Sequence, residues 1–132
     1  MKRLLRGALI AATFFAGCHR ERTPSRPTVR SVLRELARCT FDEVNGEPTG
    51  AEIEAGVRRA LRSGRNEFAV RAGNCGTLLD ASTRERDVRL RALGEAWDDL
   101  LPVTQATTPD DLRIERAIRH VGNAWRGANG EH

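Results

Sequence analysis

Residues Arg65–Asp80 read RNEFAVRAGNCGTLLD, and the fold turns on how they are taken. Phe68, Val70 and Ala72 alternate as on a half-buried strand. Phe68, Ala72, Cys75 and Leu79 also recur four, three and four residues apart, as on one face of a helix. A strand here would find no partner elsewhere in the chain, and a lone strand leaves its backbone groups unpaired. The stretch is therefore predicted to be helical. Gly73 and Gly76 each cost about 1 kcal/mol relative to Ala inside a helix. They imply either close approach of a neighbouring helix or a weak, bent segment.

Working outward, both flanks carry the helical period. On the N-terminal side, Val29, Leu33, Leu36 and Thr40 share one face of a helix over 28–43, which Asn45-Gly46 and Glu47-Pro48 stop. Thr49-Gly50-Ala51-Glu52 has the form of a capping box. Ile53, Val57, Ala60 and Leu61 follow on a helix that ends near Ser63, with Gly64 as its stop. On the C-terminal side, Ser82-Thr83-Arg84-Glu85 is a second capping box. Leu90, Leu93, Trp97 and Leu100 then continue to Leu101-Pro102. Thr108-Pro109-Asp110-Asp111 opens a last helix, with Thr as cap, Pro in the first turn and acids at the positive end of the dipole. Its buried stripe is Ile114, Ile118, Val121 and Trp125, and Gly127 and Gly130 end it. The expected fold class is all-α: a small antiparallel helical bundle of four to five short helices over 31–127, with a disordered tail at 128–132.

The chain of 132 residues has room for one domain. Apolar residues at 39% and charged residues at 30% exclude a multi-span membrane protein. The net charge of +4 is unevenly placed. Lys2, Arg3 and Arg6 give residues 1–17 a charge of +3. Residues 31–132 hold 15 basic and 17 acidic groups, a balance of −2. The basic character of the chain thus belongs to its start.

That start has a basic segment followed by an 11-residue apolar run, Gly7–Gly17 (GALIAATFFAG). A bilayer-spanning helix needs about 20 residues, so the run fits a cleaved signal peptide at 1–17. Phe15-Ala16-Gly17-Cys18 resembles the lipobox of bacterial lipoproteins, with Phe15 where the family prefers Leu. The resemblance covers residues 1–18 alone. It implies diacylglyceryl transfer to the Cys18 thiol, cleavage before Cys18 and acylation of the new amino terminus. The implied partner is a lipid bilayer holding acylated Cys18. The inner-membrane retention signal of the family, an Asp after the Cys, is replaced by His19, which points to the outer membrane. Residues 18–30 then form a basic tether, with Arg20, Arg22, Arg26 and Arg30 against Glu21 and with Pro24 and Pro27 opposing any packed element.

Cysteine parity fits the same reading. An exported chain with three Cys leaves one thiol over, and lipidation of Cys18 accounts for it. Cys39 and Cys75 remain and are expected to pair in an oxidising compartment. That bond would close a loop of about 37 residues and stabilise by roughly 3–4 kcal/mol.

Other chemistry finds no support. There is no C-x-x-C, no C-x-x-C-H, no Glu-x-x-His and no G-x-S-x-G, so no cofactor, metal or catalytic residue is assigned. His120 has no companion at metal-ligand spacing. Arg58, Arg62 and Arg65, with Arg84, Arg91, Arg113 and Arg116, form basic stripes. Glu54–Arg58, Glu85–Arg89, Asp87–Arg91 and Glu115–Arg119 are acid-first i,i+4 pairs, however. With no Tyr in the chain and Trp97 and Trp125 on apolar stripes, nucleic acid is not an expected partner. The function expected is a lipid-anchored envelope module that binds or supports another envelope protein without catalysis. A periplasmic small-ligand carrier and an enzyme or inhibitor with an unrecognised site are the other classes left open.

Overall fold

The structure, a computed structural model, describes residues 28–44, 46–106, 108 and 110–131. The signal peptide expected at 1–17, Cys18 and most of the tether expected at 18–30 lie outside the described residues. Six α-helices follow in chain order: α1 (Val29–Thr40), α2 (Gly50–Ser63), α3 (Arg65–Cys75), α4 (Ala81–Arg86), α5 (Val88–Gln105) and α6 (Asp111–Asn129). A 3-10 turn, Gly76–Leu79, links α3 to α4. The described residues contain no strand, so the all-α bundle stands, and Arg65–Cys75 is helix as its spacing implies.

The helices number six because Asp87 divides the single helix expected over 82–101. Its carboxylate accepts from Arg89 N at 2.8 Å and starts α5 afresh. The expected capping box at Ser82 does not form. Asp80 caps α4 instead, its carboxylate accepting from Thr83 N at 2.8 Å. The box at Thr49 does form: Glu52 N donates to Thr49 Oγ1 at 3.2 Å, and Thr49 N donates to Glu52 Oε1 at 3.1 Å. Pro102 does not end α5, which runs on to Gln105 with Val103 and Thr104 buried. At the last helix the cap is Asp110, not Thr108, accepting from Leu112 N and Arg113 N at 3.1 and 3.3 Å. That helix also outlasts its expected end at 127, because Ala128 is buried and Gly130, at φ 74°, supplies the left-handed cap. The tail expected from 128 is correspondingly shorter.

The core is set by α5 and α6, which make the most extensive helix–helix contact and run antiparallel through the short connection 106–110. Trp97, Leu93, Leu100, Ile118, Val121 and Trp125 are each 1% exposed or less. Both indoles lie in the core, as their stripes predict, and each is hydrogen-bonded. Trp97 Nε1 donates to Ala72 O and Trp125 Nε1 to Pro48 O, both at 2.9 Å. A buried indole left unpaired would lose its hydration without compensation. The first bond fixes α3 to α5; the second pins the loop before α2 to α6. Gly76 admits the Trp97 ring, since a Cβ there would lie 3.0 Å from the indole. Gly73 meets nothing within 4 Å, so close approach explains only one of the two glycines.

Against α6 lies α2, also antiparallel, with Glu54 buried between them. Arg126 NH2 is 2.7 Å and Arg58 NH2 3.5 Å from the Glu54 carboxylate. Arg58 in turn grips Glu115 through Nε at 2.9 Å and NH2 at 2.8 Å. The hydrogen bond from Arg58 holds the Glu115 carboxyl below its usual range. Three of the four expected i,i+4 pairs are thus re-partnered: Glu115 with Arg58 rather than Arg119, and Asp87 and Arg89 with each other rather than with Arg91 and Glu85. Glu54–Arg58 forms as expected, but with its acid buried rather than on a solvated face.

Gly122 makes room for that acid. A Cβ at Gly122 would overlap Glu54 Oε2, and the acid has little freedom to withdraw from Arg126. Gly122→Ala is therefore expected to destabilise by roughly 1–3 kcal/mol. Gly127, on the same helix, meets nothing within 4 Å. Gly127→Ala is expected to stabilise by about 0.5–1 kcal/mol through reduced backbone entropy of the unfolded chain. Urea unfolding of the two variants checks the pair, and equal effects would contradict this account of Gly122.

Candidate functional site

The structure brings together the two site residues that lie among those described. Cys39, in the last turn of α1, is joined to Cys75, the last residue of α3, with S–S 2.04 Å and Cα–Cα 5.7 Å. Cys75 is buried at 3% exposure, whereas Cys39 is on the surface. Helical spacing put the two cysteines late in their helices, and packing of α1 on α3 brings those ends together.

Other contacts reinforce the junction. Arg71 Nε donates to Cys39 O at 2.8 Å, and its NH1 is 2.8 Å from Asp42 Oδ1. Phe41 and Phe68 stack with ring centroids 6.3 Å apart and 27° between planes. Thr40 Oγ1 donates to Leu36 O at 2.7 Å, satisfying a buried hydroxyl within α1. The chain then turns away at Phe41, whose N–H makes the last bond of the helix, to Ala37 O.

Beside this junction is a surface cleft of about 270 Å³. Phe41, Phe68, Ala60 and Gly56 supply apolar lining, while Glu43, Arg59 and Glu67 add mixed charge. Arg59 faces Glu43 at 3.9 Å and Arg71 is bound to Asp42, so both basic groups of the cleft already have acidic neighbours. This arrangement suits apolar adhesion with a polar rim better than recognition of one charge.

A second groove, of about 330 Å³, opens between α5 and α6. Arg113, Arg116 and His120 reach it from α6, and Asp99, Pro102 and Val103 from α5. His120 Nδ1 lies 3.2 Å from Asp99 Oδ2. The sequence placed Arg113 and Arg116 on one stripe but not in a groove, because the facing α5 residues are set by the antiparallel register of the hairpin.

Across the α4–α5 junction, Arg84 forms a two-pronged contact with Asp98, at 2.7 and 3.0 Å, and donates to Leu79 O at 2.6 Å. The guanidinium holds the Asp98 carboxyl below its usual range. Asp87 is lowered from 3.8 to about 2, chiefly by the side-chain hydrogen bond from Arg89. These shifts arise from ion pairing at helix junctions.

No group of three or more His, Cys, Asp or Glu suited to a metal ion occurs among the described residues. No described helix is long and apolar enough to cross a membrane. No family model, no curated protein and no solved structure matches the chain.

Proposed function

We propose that the chain is a lipid-anchored protein of the bacterial cell envelope whose helical domain serves as a non-catalytic binding or structural module. The observation that carries this reading is the cysteine accounting. Cys39 and Cys75 are bonded to each other, and the third cysteine is the one that stands at the end of the lipobox-like Phe15-Ala16-Gly17-Cys18. An internal disulfide fits an oxidising compartment, and export through a signal peptide leads to one.

The anchor is physically sufficient. Each buried CH₂ contributes about 0.8 kcal/mol, and stable attachment takes more than one acyl chain. The lipoprotein resemblance implies several chains on Cys18, and residues 19–30 then space the bundle from the bilayer. His19 in place of Asp favours the outer membrane as the destination.

The module reading draws on the domain surface. The cleft beside the disulfide combines aromatic rings with a charged rim, the composition of an interface for an envelope protein partner. A nucleic-acid partner is disfavoured, because Arg58, Arg71, Arg84 and Arg126 are engaged with Glu115, Asp42, Asp98 and Glu54.

Mass spectrometry of the mature N-terminus tests the anchor. The expected result is a peptide beginning at an acylated Cys18, with labelled palmitate incorporated into the natural protein and lost in Cys18→Ala. An unmodified peptide beginning at His19, or an uncleaved Met1, would refute the proposal.

A further inference from the structure

We propose that the groove between α5 and α6 binds a small soluble organic anion, a carboxylate or phosphate on a compact apolar body, held by Arg113 and Arg116. The proposal starts from how arginines are used elsewhere in the domain. Arg30, Arg34, Arg58, Arg59, Arg71, Arg84, Arg89 and Arg126 each lie within 4.0 Å of an acid. Arg65 is tied to the Thr104 and Ala106 carbonyls. Arg38, Arg62, Arg86, Arg91, Arg113, Arg116 and Arg119 have no ion-pair partner among the described residues, and of these Arg113 and Arg116 line a groove together.

Three residues apart on α6, the two guanidinium groups issue from the same helix face, about one turn from each other. Each offers a planar fork of N–H donors matched to a carboxylate or phosphate, and neither has to release an internal partner to bind one. Between them and α5 the floor is apolar: Val103 and Ala117 are buried, and Pro102 adds a ring with no N–H to satisfy. Asp99, the acid in the same lining, lies 3.2 Å from His120 Nδ1 and more than 4.0 Å from either guanidinium group. The site thus offers two positive groups over an apolar floor, which selects an anion that also carries apolar surface.

The size of the occupant follows from the volume. About 330 Å³ is at the lower end of small-molecule pockets, roughly 300–1,000 Å³. Residues 31–132 sum to −2, so the domain as a whole has no net positive charge to draw a membrane or a polyanion. Local charge in a groove, on a domain of opposite net charge, fits a small ligand better than a broad polyanionic surface.

This inference rests on the binding half of the function proposed above and not on the anchor. N-terminal mass and groove binding are read separately, so either can fail alone. The experiment titrates the intact chain, in non-ionic micelles, with benzoate, phenyl phosphate and benzylammonium, following backbone amide resonances. Benzoate or phenyl phosphate is expected to shift residues around Pro102–Val103 and Arg113–His120, and the stronger of the two assigns carboxylate or phosphate chemistry. Arg113→Gln/Arg116→Gln is expected to weaken that binding roughly tenfold or more while leaving urea unfolding unchanged. Equal binding of benzylammonium, shifts confined to another surface, or an unaffected double variant would overturn the proposal. So would binding seen only with phosphatidylglycerol vesicles and with neither soluble anion.

Discussion

Trp97→Ala is expected to lower the free energy of unfolding by roughly 4 kcal/mol. The indole is 1% exposed, and truncation removes it from the middle of the α3–α5 contact. Two costs add. The first is the lost burial of a large aromatic surface together with the cavity that replaces it. The second is the Ala72 carbonyl, which now accepts from Trp97 Nε1 at 2.9 Å and would face an apolar void. Trp97→Phe separates the two, since it keeps most of the ring and removes the donor; its expected loss is about 1–2 kcal/mol. Gly76 cannot close the gap, having no side chain to extend into it. Urea unfolding followed by far-ultraviolet circular dichroism measures both variants. A loss below about 1 kcal/mol for the alanine variant would mean that α3 is not held to α5 through this residue.

The second large effect is expected from Cys39→Ser/Cys75→Ser. The bond spans a sequence separation of 36, and opening it restores to the unfolded chain the entropy of a loop of that length. On the chain-entropy account the expected destabilisation is roughly 3–4 kcal/mol. The folded state should change little, because Arg71 still binds the Cys39 carbonyl and Phe41 still stacks on Phe68. Helix content at low denaturant should therefore match the natural protein while the urea midpoint falls. Reductant should lower the midpoint of the natural protein and leave that of the double variant unmoved. A midpoint indifferent to reductant in the natural protein would show that the cysteines do not pair in solution.

The helical character was legible because apolar spacing survives without knowledge of partners. Leu33 and Leu36, Ile53 and Val57, and Ile118, Val121 and Trp125 all lie in the core where their period puts them. Even the disputed stretch resolves by the 3.6 period: Phe68, Ala72, Cys75 and Leu79 are buried, while Val70, which the strand reading needed inside, is 65% exposed. Boundaries were less legible because several polar residues compete for each cap. Asp80 wins over Ser82, and Asp110 over Thr108, each carboxylate reaching free N–H groups of the first turn. The buried Glu54 was not legible as such. Its local i,i+4 partner is Arg58, and that spacing is ordinarily a surface feature. What buries it is Arg126 on another helix and the absent side chain of Gly122, both set by tertiary register. The disulfide was legible from residue count and the expectation of export, but the grooves were not, because each depends on the register in which neighbouring helices pack, which apolar spacing does not specify.

The Cys39–Cys75 bond also decides how the chain would carry tension. A pull between a point before α1 and a point after α3 travels along α1 to Cys39, crosses the sulfur bridge and leaves through Cys75. Residues 40–74, including all of α2 and most of α3, lie off that covalent path. Their extended length, roughly 120 Å at the reach of a fully drawn-out chain, stays locked behind the bridge until it is reduced. Stretching the oxidised chain would yield that much less extension than stretching the reduced one. A domain built this way has an upper bound on its elongation that is set by redox chemistry, independently of how firmly its helices pack.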